Sequence, residues 1–208
     1  MKVRFYSYGG SGLKFVSDLA SKRMDASDDA HSPHVFEDIT DTDIDKAIIL
    51  YGDPRDALLS FFRRGGARSA SPNAKWLCQH VRHLYMKEPE AMPRIDPAMT
   101  LQEYLDTHDV DIIGLENFFM QWVRTKNTKP IAFLRYEALG EKRAPDVIAQ
   151  LEQFLELEPG TLAEPLKAKF RPRRSAHGNQ SPENQEKLGK MFSNLLQEQA
   201  KLGDFFVK

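Results

Sequence analysis

The sequence predicts an α/β protein of three layers, with a mostly parallel central sheet flanked by helices. Three observations predict it. Apolar, β-prone runs recur at residues 2–8, 46–51 and 130–136. The second, Lys46-Ala47-Ile48-Ile49-Leu50-Tyr51, is continuous in the manner of a strand buried on both faces. Between the runs lie segments with apolar residues at helical spacing, and Gly9-Gly10-Ser11-Gly12 and Gly52-Asp53-Pro54 mark the passages from strand to helix.

In chain order, Lys2 to Tyr8 reads as the first strand and residues 11–23 as the first helix. An acidic segment, Asp25-Ala26-Ser27-Asp28-Asp29-Ala30, follows, and His31-Ser32-Pro33-His34-Val35-Phe36 ends in a possible short strand. Pro54, with its preset φ, opens a helix that Gly65-Gly66 closes. Residues 72–86 carry Trp76, Leu77, Val81, Leu84 and Tyr85 on one stripe, which predicts a core-facing helix. Residues 88–97 are a proline-punctuated loop. Thr100 with Glu103 forms a capping-box pattern for a short helix through Asp106. Residues 113–125 are a further helix with Phe118, Phe119, Trp122 and Val123 as core, and residues 147–155 are amphipathic. Ser181 as N-cap and Pro182 in the first turn open a final helix.

The 208 residues suit one domain spanning residues 1–208 with a sizeable core. With 41% hydrophobic and 28% charged residues the chain has the composition of a soluble globule. A net charge of −1 argues against a protein built to bind nucleic acid in bulk. Cys78 is the single cysteine, so no intrachain disulfide forms, and no Cys/His cluster has zinc-ligand spacing. The start of the chain does not read as a secretory leader, and no apolar stretch approaches membrane-spanning length, so no membrane span and a cytoplasmic location are expected.

Chemistry concentrates at the glycine knot. Glycines let the backbone turn with φ > 0 and approach a ligand closely, and the first N–H groups of the following helix point at whatever anion sits there. No register supplies G-x-x-x-x-G-K-[ST], which disfavours an ordinary P-loop ATPase or GTPase. Two readings of the turn stand: a cradle for a phosphate or phosphosulfate, or a turn that serves packing alone.

Four stretches taken together resemble the family of PAPS-dependent sulfotransferases. Tyr8-Gly9-Gly10-Ser11-Gly12-Leu13-Lys14-Phe15 is similar to the family's phosphosulfate loop, Y-P-[KR]-S-G-[ST]-[ST]-[WF], and His31-Ser32-Pro33 resembles its T-H-x-P element. The run from Ile48 through Gly52-Asp53-Pro54-Arg55-Asp56-Ala57-Leu58-Leu59-Ser60 to Phe62 is similar to V-Y-V-x-R-N-P-[KR]-D-x-x-x-S-x-[YF]. Trp122 through Tyr136-Glu137 to Phe154-Leu155 follows the family's helix-strand-helix run. The resemblance covers about residues 3–157. It implies a P-loop NTPase-like sulfotransferase fold. The implied activity is transfer of a sulfuryl group from 3′-phosphoadenosine 5′-phosphosulfate, without a metal, to a hydroxyl of a carbohydrate or small metabolite.

Carried over by position, the 5′-phosphosulfate loop falls on Gly9, Gly10, Ser11, Gly12, Leu13 and Lys14, the 3′-phosphate serine on Ser60, a nucleotide-side tyrosine on Tyr136 and the general base on His31. The sequence departs from the pattern where Gly10 replaces the loop cation, Leu13 and Lys14 replace two hydroxyls, and Gly52 replaces the 3′-phosphate arginine. Lys14 is expected to take over from the loop cation, and Arg55, Arg63 or Arg64 from the arginine. Arg171, Arg173 and Arg174 lie where the family has a basic loop over the nucleotide, and guanidinium forks suit phosphate. His80 and His83, at i and i+3, lack a carboxylate pattern for a metal and are expected at the helix surface or core edge. Trp76 and Trp122 are expected in the core and Cys78 as a small buried hydrophobe. Rival readings are a P-loop nucleotide or small-molecule kinase, with Asp53 the nearest acidic candidate, and a non-catalytic nucleotide-binding relative.

Overall fold

Strand β1 (Val3–Tyr6) lies beside β2 (Lys46–Tyr51), β2 beside β3 (Ile131–Arg135), both pairs parallel, and β4 (Phe205–Val207) closes the row antiparallel to β3. The computed structural model describes residues 1–9, 12–22, 34, 36–66, 74–86, 89–172 and 177–208. Among them the sheet is four-stranded and mostly parallel, as the apolar runs require. Phe5 pairs with Ile48 and Ile49 with Phe133, so the registers carry the alternation of side chains across the sheet.

That alternation divides the interior. Val3, Phe5, Ile48, Leu50, Ala132 and Leu134 face a cluster completed by α1 (Leu13–Ser21), α6 (Ala144–Phe154) and α7 (Ala163–Lys169). Tyr6, Ile49, Tyr51, Ile131 and Phe133 face the opposite cluster. It is built with α2 (Pro54–Gly66), α3 (Lys75–Leu84), α4 (Leu101–Thr107), α5 (Leu115–Arg124), α8 (Pro182–Met191) and α9 (Ser193–Leu202). Helices therefore cover both faces. No helix among the described residues is long and apolar enough to cross a membrane.

Helix boundaries follow local chemistry. The capping box at Thr100 is present: its hydroxyl accepts the Glu103 N–H at 3.2 Å while the Glu103 carboxylate accepts the Thr100 N–H at 2.7 Å. Ser181 accepts the Asn184 N–H at the start of α8. The final helical stretch breaks at buried Phe192 into α8 and α9. Trp76 departs from the sequence expectation. It is 47% exposed, because the stripe of α3 that meets the core runs through Leu77, His80 and Val81. Cys78 is half-buried, and its thiol donates to the Ile95 carbonyl. Phe36 lies in irregular chain, while His31, Ser32, Pro33 and Val35 of the possible short strand fall outside the described residues.

Two carboxylates act as staples for backbone amides. Buried Glu152 accepts the N–H groups of Gly160 and Leu162 at 2.8 and 2.6 Å and so holds the passage from α6 to α7. Asp111 accepts those of Ile113, Gly114 and Glu116 at 3.1, 3.1 and 2.7 Å, which satisfies orphan donors at the start of α5. Burial pushes the Asp111 carboxyl up to about 6, against the opposing pull of those N–H groups. The native state then holds this proton more tightly than the unfolded chain, so its contribution is full below about pH 4 and is lost as pH rises through about 6. A window of about two pH units corresponds to about 3 kcal/mol. Urea unfolding of wild type and Asp111→Asn across pH 4 to 7 is expected to show wild type losing stability relative to the variant as pH rises. A constant difference would refute the assignment.

Candidate functional site

The glycine turn leaves β1 at the carboxyl ends of the parallel strands, where open α/β sheets bind ligands. Ser7 is buried and its Oγ accepts the Gly9 N–H at 2.8 Å, which begins the turn. Gly9 has φ 91° and Gly12, the N-cap of α1, has φ 74°, both in the left-handed region that glycine tolerates. Close approach adds a second requirement. A Cβ on Gly9 would lie 2.2 Å from Cε1 of His80, and one on Gly12 2.2 Å from Cε2 of Tyr136. Among the described residues no side chain caps α1, whose N-cap is Gly12, so its first turn presents backbone N–H groups toward the turn.

Tyr8 joins this turn to the next. Its fully buried hydroxyl accepts the Gly52 N–H at 3.0 Å and the Gln199 side-chain amide at 3.0 Å, and donates to the Gly52 carbonyl. Both main-chain groups of Gly52, where the family pattern has an arginine, are thus engaged by a phenol.

The residues singled out in the sequence are dispersed around this node. Leu13 is buried in the core below α1. Lys14 has a side chain 82% exposed and pairs with Asp18 one turn along the helix, at 3.0 Å, so its charge lies on the outer face of α1. Ser60 is buried and donates to the Ala57 carbonyl of its own helix at 2.9 Å. Arg55 grips Asp53 through Nε and Nη2, which keeps the Asp53 carboxyl below the usual carboxylate range despite burial. Arg63 is exposed. Tyr136 packs its ring over Gly12 and donates to the Arg171 carbonyl at 2.8 Å, so it does reach the glycine turn. The exposed Arg171 guanidinium donates to the carbonyls of Phe170 and Ala168. Gly10, Ser11, His31, Arg173, Arg174 and the Arg64 side chain lie outside the described residues.

Histidines that the resemblance did not select sit at the turn. His80 is buried, stacks on Phe61 with ring centres 4.4 Å apart, and bonds through Nε2 to the Tyr8 carbonyl. His34 bonds through Nδ1 to the Ser7 carbonyl at 2.6 Å, and its ring lies 4.5 Å from that of His80 and 6.3 Å from that of His83. A carbonyl only accepts, so these bonds put the proton on Nδ1 of His34 and on Nε2 of His80. The sequence signal for His80 was its place on the apolar stripe of α3; for His34 it was only proximity to the T-H-x-P-like element.

Beside the node, a cavity of about 390 Å3 opens between the ends of β2 and β3. Asp53 and Asp56 line it from the β2–α2 turn, Arg135 and Glu137 from the end of β3, and Gln199 and Asp204 from the C-terminal segment. Arg135 is engaged by Asp204 at 2.8 Å and Glu141 at 2.8 Å. Carboxylates therefore outnumber cations along this wall. No family model, curated protein or solved structure matches the chain.

Gly9→Ala and Gly12→Ala each force an L side chain into left-handed backbone and into a ring. Each is expected to cost about 2–4 kcal/mol, read as a lowered urea midpoint. Wild-type midpoints would show that the turn is not so closely packed.

Proposed function

We propose that the chain is a sulfotransferase of the P-loop NTPase-like kind. In this reading it moves a sulfuryl group from 3′-phosphoadenosine 5′-phosphosulfate to a hydroxyl of a carbohydrate or small metabolite. The observation that carries the proposal is the start of α1 behind a left-handed glycine N-cap, with no side-chain cap among the described residues, at the carboxyl end of a buried parallel strand. Such a helix start offers aligned N–H donors and a positive dipole end to a doubly charged anion.

In this reading the acceptor oxygen attacks sulfur, the bond from sulfur to the bridging phosphate oxygen breaks, and adenosine 3′,5′-bisphosphate leaves. The acceptor proton passes to a histidine. His31 holds that role by resemblance, and His34, bonded to the Ser7 carbonyl, is the described histidine nearest in sequence to it. Charge spreads over peripheral oxygens, so catalysis rests on positioning and on donors fixed in advance. Tyr136, packed on Gly12, bounds the nucleotide side of the turn.

A specific observation favours a second reading. Asp53 stands at the carboxyl end of β2, the parallel neighbour of β1, with Asp56, Glu137 and Asp204 on the same cavity wall. Carboxylates there suit a nucleotide bound with its metal ion, as in a P-loop kinase.

Calorimetric titration decides between them. The sulfotransferase reading expects adenosine 3′,5′-bisphosphate to bind and, at about 100 times its Kd, to stabilise the fold by about 2.7 kcal/mol. Stabilisation by ATP with magnesium instead would favour the kinase, and response to neither ligand would overturn both. His31→Ala is expected to lower sulfuryl turnover at least about tenfold with binding retained.

A further inference from the structure

We infer that Asp53, Asp56 and His177 form a binding site for a divalent transition ion, Zn2+ foremost. The inference is independent of the sulfotransferase reading and, unlike the metal ion of the kinase reading, needs no nucleotide. One donor atom from each of His177, Asp56 and Asp53 lies within 4.8 Å of the other two, and none of the three residues is exposed. His177 Nδ1 is 2.9 Å from the Asp56 oxygen and 3.5 Å from the Asp53 oxygen. Donors bound tetrahedrally to one ion at about 2.1 Å sit about 3.4 Å from each other, so the two His177 separations need change by only about half an ångström or less.

The donors converge from distant parts of the chain. Asp53 and Asp56 are three residues apart across the start of α2, a spacing that places them on one face. His177 arrives 121 residues after Asp56, on the short 3-10 turn His177–Asn179. Its imidazole adds a nitrogen donor, which distinguishes the set from a solvated acidic patch.

Neighbouring groups orient the donors as outer partners do in metal sites. Nε and Nη2 of Arg55 hold the Asp53 carboxylate, and the backbone N–H of His177 donates to Asp56 Oδ1 at 2.7 Å. Asp53 and Asp56 open onto the 390 Å3 cavity, which leaves room for water at a fourth position. Glu137 on the same wall adds negative potential for a cation, while Asp204 is paired with Arg135 and Arg143. One nitrogen and two carboxylate oxygens suit Zn2+ or Mn2+ better than Mg2+ or Ca2+, which prefer oxygen throughout. On binding, the Nδ1–H bond to Asp56 gives way to two metal bonds and the imidazole proton moves to Nε2.

The test is calorimetric titration of the full chain with ZnCl2, MnCl2 and MgCl2, without nucleotide, together with Co2+ absorption. One Zn2+ per chain is expected, with Co2+ giving ligand-field bands stronger than those of the aqueous ion. His177→Ala and Asp56→Asn should each weaken Zn2+ at least about tenfold, as loss of a metal-site group does. His83→Ala, at the separate histidine cluster, should leave affinity unchanged. Any one of three results would overturn the assignment: no Zn2+ uptake, an aqueous-type Co2+ spectrum, or equal affinity in wild type, His177→Ala and Asp56→Asn. The Co2+ spectrum is read on wild type, so the site can fail even where a variant does not fold.

Discussion

One buried phenol holds the working end of this molecule together. The Tyr8 hydroxyl uses its single donor on the Gly52 carbonyl and both acceptor positions on the Gly52 N–H and the Gln199 amide. Residues near 8, 52 and 199 are thereby locked to one another, so the first turn, the second turn and the C-terminal helix share one node. Each group left unpaired there would cost about 1–3 kcal/mol, whereas each bond made contributes only about 1 kcal/mol net. The asymmetry makes the node a requirement rather than an ornament. Downstream contacts extend it: the Tyr51 hydroxyl donates to the Gly203 carbonyl and Arg135 binds Asp204, so the tail from α9 to β4 walls the crevice that the parallel strands open.

How much of this was legible follows from where the signals are local. β-prone, largely apolar runs revealed β1, β2 and β3, most plainly β2, since a strand buried on both faces takes apolar residues along its length. The Thr100 box and the Ser181 cap were legible for the same reason: cap chemistry is complete within four residues. β4 was not, although Phe205-Phe206-Val207 is an apolar run, because three residues after a helix carry little periodicity. α7, with Pro165 in its first turn, presented a helix-breaking residue to local reading. Trp76 shows the limit of periodicity most clearly. It shares a stripe with Leu77 and Val81 in sequence terms, yet the face of α3 that meets the core is centred one step away. The roles of Gln199 and His177 are long-range facts with no local signature.

The site illustrates a related limit. Positional resemblance assigns a residue to a place along the chain, not a direction to its side chain. Lys14 follows the glycine turn as the resemblance requires, but an ion pair with Asp18 draws its ammonium along the outer face of α1. Ser60 has the expected spacing from Gly52, and its hydroxyl turns back onto the Ala57 carbonyl. Arg55 has the expected charge, and Asp53 takes it up. Of the described residues the resemblance selected beyond the turn, Tyr136 reaches it, its ring lying where a Cβ on Gly12 would stand.

Electrostatics then gives two neighbouring parts of the carboxyl end of the sheet opposite character. The start of α1 offers N–H donors and a positive dipole end, which favour an anion. The β2–α2 turn offers two carboxylates against one guanidinium, with two more carboxylates along the cavity wall, which oppose one. A phosphate spanning both parts would gain at the first and be repelled at the second, where partial burial weakens screening. A divalent ion in the proposed site between Asp53, Asp56 and His177 offsets the charge of those two carboxylates, and its remaining coordination positions accept oxygen. An anion at the first turn and a cation at the second, both at the carboxyl ends of the strands, are therefore compatible, since a bound cation lowers the repulsion that would otherwise oppose the anion.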